Sequence, residues 1–125
     1  MKFHLRLPVE HPVLFLSDPY SDDEVPGDTG AALVTSTESC IAFQVQAYTE
    51  GDADVIISDE PSSHEQPPAF EGHLDIPSKI LSLSDSQRFN YVMLPLTGPR
   101  PRIQIWYHDS IVLNVWIRVE GIALF

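Results

Sequence analysis

Arg102-Ile103-Gln104-Ile105-Trp106-Tyr107 and, a short way on, Asn114-Val115-Trp116-Ile117-Arg118-Val119 alternate apolar and polar residues with a period of two. That period sets Ile103 and Ile105 on one side of an extended chain and Arg102, Gln104 and Trp106 on the other. It opposes Val115, Ile117 and Val119 to Trp116, Arg118 and Glu120 in the same way. Each segment reads as a strand with one buried and one wetter face. The pattern recurs upstream, where Phe3, Leu5 and Leu7 alternate with Lys2, His4 and Arg6, and Ile41, Phe43, Val45 and Ala47 with Gln44, Gln46 and Tyr48. Apolar stretches at Val13 to Leu16, Val55 to Ile57, Ile80 to Leu83 and Tyr91 to Leu94 supply further strands.

The 11 Pro and 6 Gly punctuate the chain so often that no long window repeats apolar residues at helical spacing. Turn residues fall between the strand segments, at Asp18-Pro19, Val25-Pro26-Gly27, Glu50-Gly51-Asp52, Ser84-Asp85-Ser86 and Gly98-Pro99-Arg100-Pro101. The expectation is an all-β fold, a two-sheet antiparallel sandwich of jelly-roll or immunoglobulin-like kind with roughly eight to ten short strands. Short helices are expected only around Asp22 to Val25 and around Pro77 to Leu81. Phe3, Phe15, Phe43 and Phe89 run in phase with apolar neighbours and read as core.

A chain of 125 residues and 14.0 kDa is the size of one domain, and nothing in it divides 1–125 into two. Its apolar runs fall far below the ~20 residues that cross a bilayer as a helix, so no membrane partner is expected. The sole cysteine, Cys40, forms no internal disulfide and stands at the start of an apolar strand, where it reads as a small core residue. With no basic-then-apolar leader at the start, a cytoplasmic location is the simplest expectation.

Charge is distributed far less evenly than hydrophobicity. Between Pro8 and Ser78 there is no Lys or Arg, yet fifteen carboxylates run from Glu10 to Asp75, and the net charge is −11. Such a run projects a negative field that attracts a basic partner or a cation and repels nucleic acid. At 43% hydrophobic residues the chain is too rich in core formers to be a disordered acidic tail, so the charge belongs on loops and solvent faces.

No catalytic signature accompanies it: there is no nucleophile elbow, phosphate-binding loop or dinucleotide fingerprint, and the expectation is a binding protein, not an enzyme. The acids of the Asp18 to Gly30 segment invite Ca²⁺, but their spacing departs from an EF-hand loop and favours a solvated loop. His73 and Asp75 share a strand parity that a metal pair would use, although no H-x-H occurs. No metal or cofactor is expected. If Ile103 and Ile105 point inward, Trp106 and Trp116 stand on the outer face beside Arg102 and Arg118. There they form either an aromatic contact patch or one side of a strand covered on both faces.

Several runs together resemble the competence-protein-J family of bacterial DNA-entry nuclease inhibitors. These are Val13-Leu14-Phe15-Leu16-Ser17-Asp18, Gly30-Ala31-Ala32, Ile41-Ala42-Phe43, His73-Leu74-Asp75-Ile76-Pro77-Ser78 with Leu81-Ser82-Leu83, and Ile105-Trp106. The resemblance covers most of the chain, from about Val13 to Val119, while the proline content and the length of the Ser58 to Ala69 connection depart from the family. The resemblance implies a small protein that binds and blocks a nuclease, and it implies no catalytic residue. On charge, Asp18, Asp22, Asp23, Glu24 and Asp28 form a first candidate contact set for a basic protein partner, with Glu50, Asp52, Asp54, Asp59 and Glu60 a second. The competing class is a sandwich that binds a small ligand or metal ion, or that assembles as a homo-oligomer, with the acids serving solubility.

Overall fold

A computed structural model describes residues 2–21, 26, 32–46, 49, 51–62, 66–107 and 114–123. Those residues contain ten strands and no α-helix. The strands are β1 (Lys2–Leu7), β2 (Val13–Ser17), β3 (Val34–Ser36), β4 (Cys40–Gln44), β5 (Ala53–Ser58), β6 (Phe70–His73), β7 (Ile80–Ser84), β8 (Asn90–Pro95), β9 (Arg102–Tyr107) and β10 (Asn114–Val119). They form two five-stranded sheets. Sheet A runs β1-β5-β10-β9-β6 and sheet B runs β3-β4-β2-β7-β8. The molecule is therefore an all-β sandwich of two largely antiparallel sheets.

One pair breaks the antiparallel rule: β10 lies parallel to β5, with Val115 beside Val55 and Ile117 beside Ile57. The chain leaves β5, builds β6 to β9, and then inserts β10 between β5 and β9, a crossover long enough for parallel pairing. Alternation places the core as the sequence indicates. Leu14, Leu16, Ile41, Phe43, Leu81 and Leu83 of sheet B face Val55, Ile57, Ile103, Ile105, Val115 and Ile117 of sheet A, all fully buried.

Three expectations are corrected. The turn at Pro77 to Lys79 is no helix, because Lys79 adopts φ 61° and the strand begins at Ile80. Phe89 is 61% exposed, since it sits in the β7–β8 turn ahead of a register shift between Leu83 and Ser84, and Tyr91 packs against the core instead. Phe15 is half-buried on the outer face of sheet B, its neighbours Leu14 and Leu16 having taken the inner one. Phe43 is fully buried and Phe3 packs against the core. The helix expected at Asp22 to Val25 lies outside the described residues.

After β10 the chain turns at Gly121, whose φ of 86° is a left-handed conformation. The turn carries the chain to the edge of sheet B, where Leu96 bridges Ile122, Thr97 N–H donates to Gly121 (2.7 Å) and Ala123 N–H donates to Pro95 (2.8 Å). A Cβ on residue 121 would lie 2.7 Å from Thr97 Oγ1. Gly121→Ala is expected to lower stability by about 1–2 kcal/mol, from backbone strain and this close approach, read as a fall in Tm by calorimetry.

Candidate functional site

The two outer faces of the sandwich differ in charge. On sheet A, Asp54 accepts from Arg6 Nε and meets His4 Nε2, each at 3.1 Å, across the β1–β5 pair. Glu71 pairs with Arg102, Glu120 lies between Arg102 and Arg118, and Gln104 links Glu71 to Arg118 through its amide. The Arg102 guanidinium, by its hydrogen bond foremost and its charge, holds the Glu71 carboxyl below its ordinary range against a small desolvation effect. Arg100 pairs with Asp75 at 3.2 Å. Three acids of the run that carries no Lys or Arg in sequence, Asp54, Glu71 and Asp75, thus receive counter-charge in space, from Arg residues 25 to 48 positions away. None of the five strands of sheet B carries a charged residue.

Trp106 and Trp116 are register partners on the outer face of sheet A, as alternation requires. They are not an open patch. Trp106 is 6% exposed, Trp116 is half-buried, and each indole N–H donates to the connection between β5 and β6: Trp116 to the Glu60 carbonyl (3.0 Å) and Trp106 to the Gln66 carbonyl (3.1 Å). Arg118 Nε donates to the Asp59 carbonyl, and the Lys2 ammonium lies 5.3 Å from the Trp116 ring centre. The two rings fasten the proline-rich segment to sheet A.

Of the first acidic set only Asp18 lies among the described residues, and of the second Asp52, Asp54, Asp59 and Glu60 do. Asp52, Asp54, Asp59 and Glu60 are strung along β5, with Asp52 and Asp59 at its opposite ends, roughly 20 Å apart at strand rise, and Asp54 is ion-paired. Asp18, on the other sheet, is 2% exposed. Its Oδ1 accepts from Tyr20 N–H and its Oδ2 from Ser78 N–H, both at 2.8 Å. Burial alone would raise this carboxyl. The amides of Ser78 and Tyr20, with the hydroxyls of Ser78 and Ser21, outweigh burial and leave its pKa lowered. Asp18 is therefore a structural tie between the end of β2 and the turn before β7. Asp22, Asp23, Glu24, Asp28 and Glu50 lie outside the described residues. His73 is exposed on β6 opposite Arg102, and among the described residues no three metal-ligating side chains converge.

Sheet B's outer face holds what the sequence did not signal as a site, a cleft of about 320 Å³. Ser17, Ser82 and Ser84 line it from adjacent strands, Phe15 and Pro19 supply apolar wall, and Asp85 and Arg88 line it from the β7–β8 turn with Asn90 at the start of β8. Asp85 shapes that turn by accepting from Gln87 N–H, Phe89 N–H and Tyr91 Oη. Burial first, and then the Asp85 hydrogen bond and charge, push the Tyr91 hydroxyl above its ordinary pKa. Tyr20, 68% exposed, follows Pro19, and Phe89 follows Arg88. The signal available in sequence was the Ile80-Leu81-Ser82-Leu83-Ser84 run, whose polar positions are all small.

No family model matches the chain, and no curated protein matches it. Two solved structures share its fold. ComJ from Bacillus subtilis, described as an inhibitor of the DNA degrading activity of NucA, superposes with a TM-score of 0.72 over 98% of this chain and 98% of its own, at 8% identity. The protein named crocagin biosynthetic gene J superposes with a TM-score of 0.52 over 96% and 95%, at 11% identity. The resemblance read from the sequence is thus met at the level of the fold.

Two measurements test this geometry. Because the folded-state pKa of Asp18 is depressed, its contribution is fully present above its ordinary value of 3.8 and is lost as pH falls through the lower, folded value. Asp18→Asn should cost about 2 kcal/mol at pH 6, and the Tm gap from wild type should close below about pH 3.8. In Trp116→Phe, the remaining Trp106 should emit at shorter wavelength than the remaining Trp116 does in Trp106→Phe.

Proposed function

We propose that the chain is a non-enzymatic inhibitor that binds a basic protein, a nuclease in the first instance, and covers its phosphate-binding surface with carboxylates. The observation that carries this reading is the superposition on ComJ, described as an inhibitor of a DNA-degrading activity, over 98% of both chains. The net charge of −11 supports it, because nuclease grooves are lined with Lys and Arg and a clustered anion competes with the nucleic acid for them.

The placement of cations narrows which acids take part. Asp54, Glu71, Asp75 and Glu120 are already paired on or beside sheet A, and Asp18 is committed to backbone amides. In this reading the partner is met by Asp22, Asp23, Glu24 and Asp28, which lie between β2 and β3 in sequence, with Glu50, Asp52 and Glu60 as a second set. In this reading association is fast and salt-sensitive, as expected when long-range attraction steers encounter.

The test is a DNA-degradation assay with NucA and with the nuclease encoded nearest this chain's own gene. Inhibition is expected at low salt, weakening as ionic strength rises from about 0.05 to 0.5 M. Neutralising Asp22, Asp23, Glu24 and Asp28 together to Asn and Gln should raise the inhibition constant at least tenfold with unchanged Tm. Full nuclease activity at a large molar excess of the chain in low salt would refute the proposal.

A further inference from the structure

Resting on the reading of a basic partner, we propose that the cleft on sheet B is the pocket that receives one Lys or Arg side chain from that partner. Four properties point there. The cleft lies on the face whose strands carry no charge, so no built-in cation competes from the sheet itself. Its lining is rich in oxygen, from the Ser17, Ser82 and Ser84 hydroxyls and the Asp85 carboxylate, groups with lone pairs for an ammonium or guanidinium.

Phe15 and Pro19 offer apolar wall to the aliphatic stem that such side chains bury, and about 320 Å³ accommodates one long side chain. Tyr20 and Phe89, 68% and 61% exposed, each follow a lining residue in sequence, Pro19 and Arg88, and exposed aromatics of this kind anchor interfaces. The acidic segment begins at the cleft itself, since Asp18, Pro19 and Ser21 line it and Asp22, Asp23 and Glu24 follow in sequence. The cleft itself lies on the other sheet from the paired charges of sheet A.

Arg88 makes the proposal sharp. It lines the cleft, makes no ion pair among the described residues, and holds φ 64° in the turn. If the guest is a cation, Arg88 opposes it; if the guest is an anion, Arg88 holds it. The experiment is NMR titration of the full chain with arginine amide, lysine amide and acetate, on wild type, Arg88→Ala and Ser84→Lys. Arginine or lysine amide should shift the amide signals of Ser82, Ser84, Phe89 and Asn90, Arg88→Ala should tighten binding by roughly two- to fivefold, and Ser84→Lys should abolish it.

Weaker binding in Arg88→Ala, acetate shifting the same signals, or shifts scattered over the surface acids alone would overturn the pocket. Should Ser84→Lys unfold the chain, the Arg88→Ala and acetate arms decide alone, since both leave the sheet intact. Nuclease inhibition is measured separately: inhibition that persists in Ser84→Lys removes the pocket and keeps the inhibitor, whereas a cleft that binds arginine amide in a chain that inhibits nothing does the reverse.

Discussion

The layer between the two sheets admits no charge, and the rest of the molecule is arranged around that exclusion. Leu14, Leu16, Ile41 and Phe43 meet Val55, Ile57, Ile105 and Ile117 with no exposed surface left on most of them, and an unpaired carboxylate placed among them would cost several kcal/mol. Among the described residues, the ionised groups are therefore sent to an outer face, a turn or a loop. Sheet A keeps its share on the strands and cancels it pair by pair. Sheet B keeps none on its strands, so acids around it collect in the connections.

How much of this could be read beforehand depends on the range of the interaction concerned. The strands were legible because period-two burial is a local property, and Ile103, Ile105, Val115 and Ile117 landed where alternation puts them. The outward placement of Trp106 and Trp116 was legible too, but their covering was not: the carbonyls they bond belong to Glu60 and Gln66, 56 and 40 residues away. The same distance hid the partners of Asp54, which come from a strand 48 to 50 residues earlier. Phe89 misled because its apolar neighbours belong to β8, whereas the Asp85 turn displaces it from that strand's rhythm.

The fold shared with ComJ at 8% identity fits this division. A sandwich tolerates nearly any sequence that keeps small or apolar residues inside and turn formers between strands, so the scaffold survives where side chains have been replaced. Surface chemistry is the part free to diverge. The cleft on sheet B is built from strand positions whose inward neighbours are fixed by the core, which lets its own lining vary at little cost to stability.

β10 occupies the middle of sheet A, between β5 and β9, although it is the last strand to be synthesised. All five strands of sheet B lie before residue 96, so that sheet can assemble while β5 still waits for its neighbour. Until β10 is added, some sixty residues after β5, the β5 edge that it covers has no partner strand, and an unpaired edge of that kind is where misassembly begins.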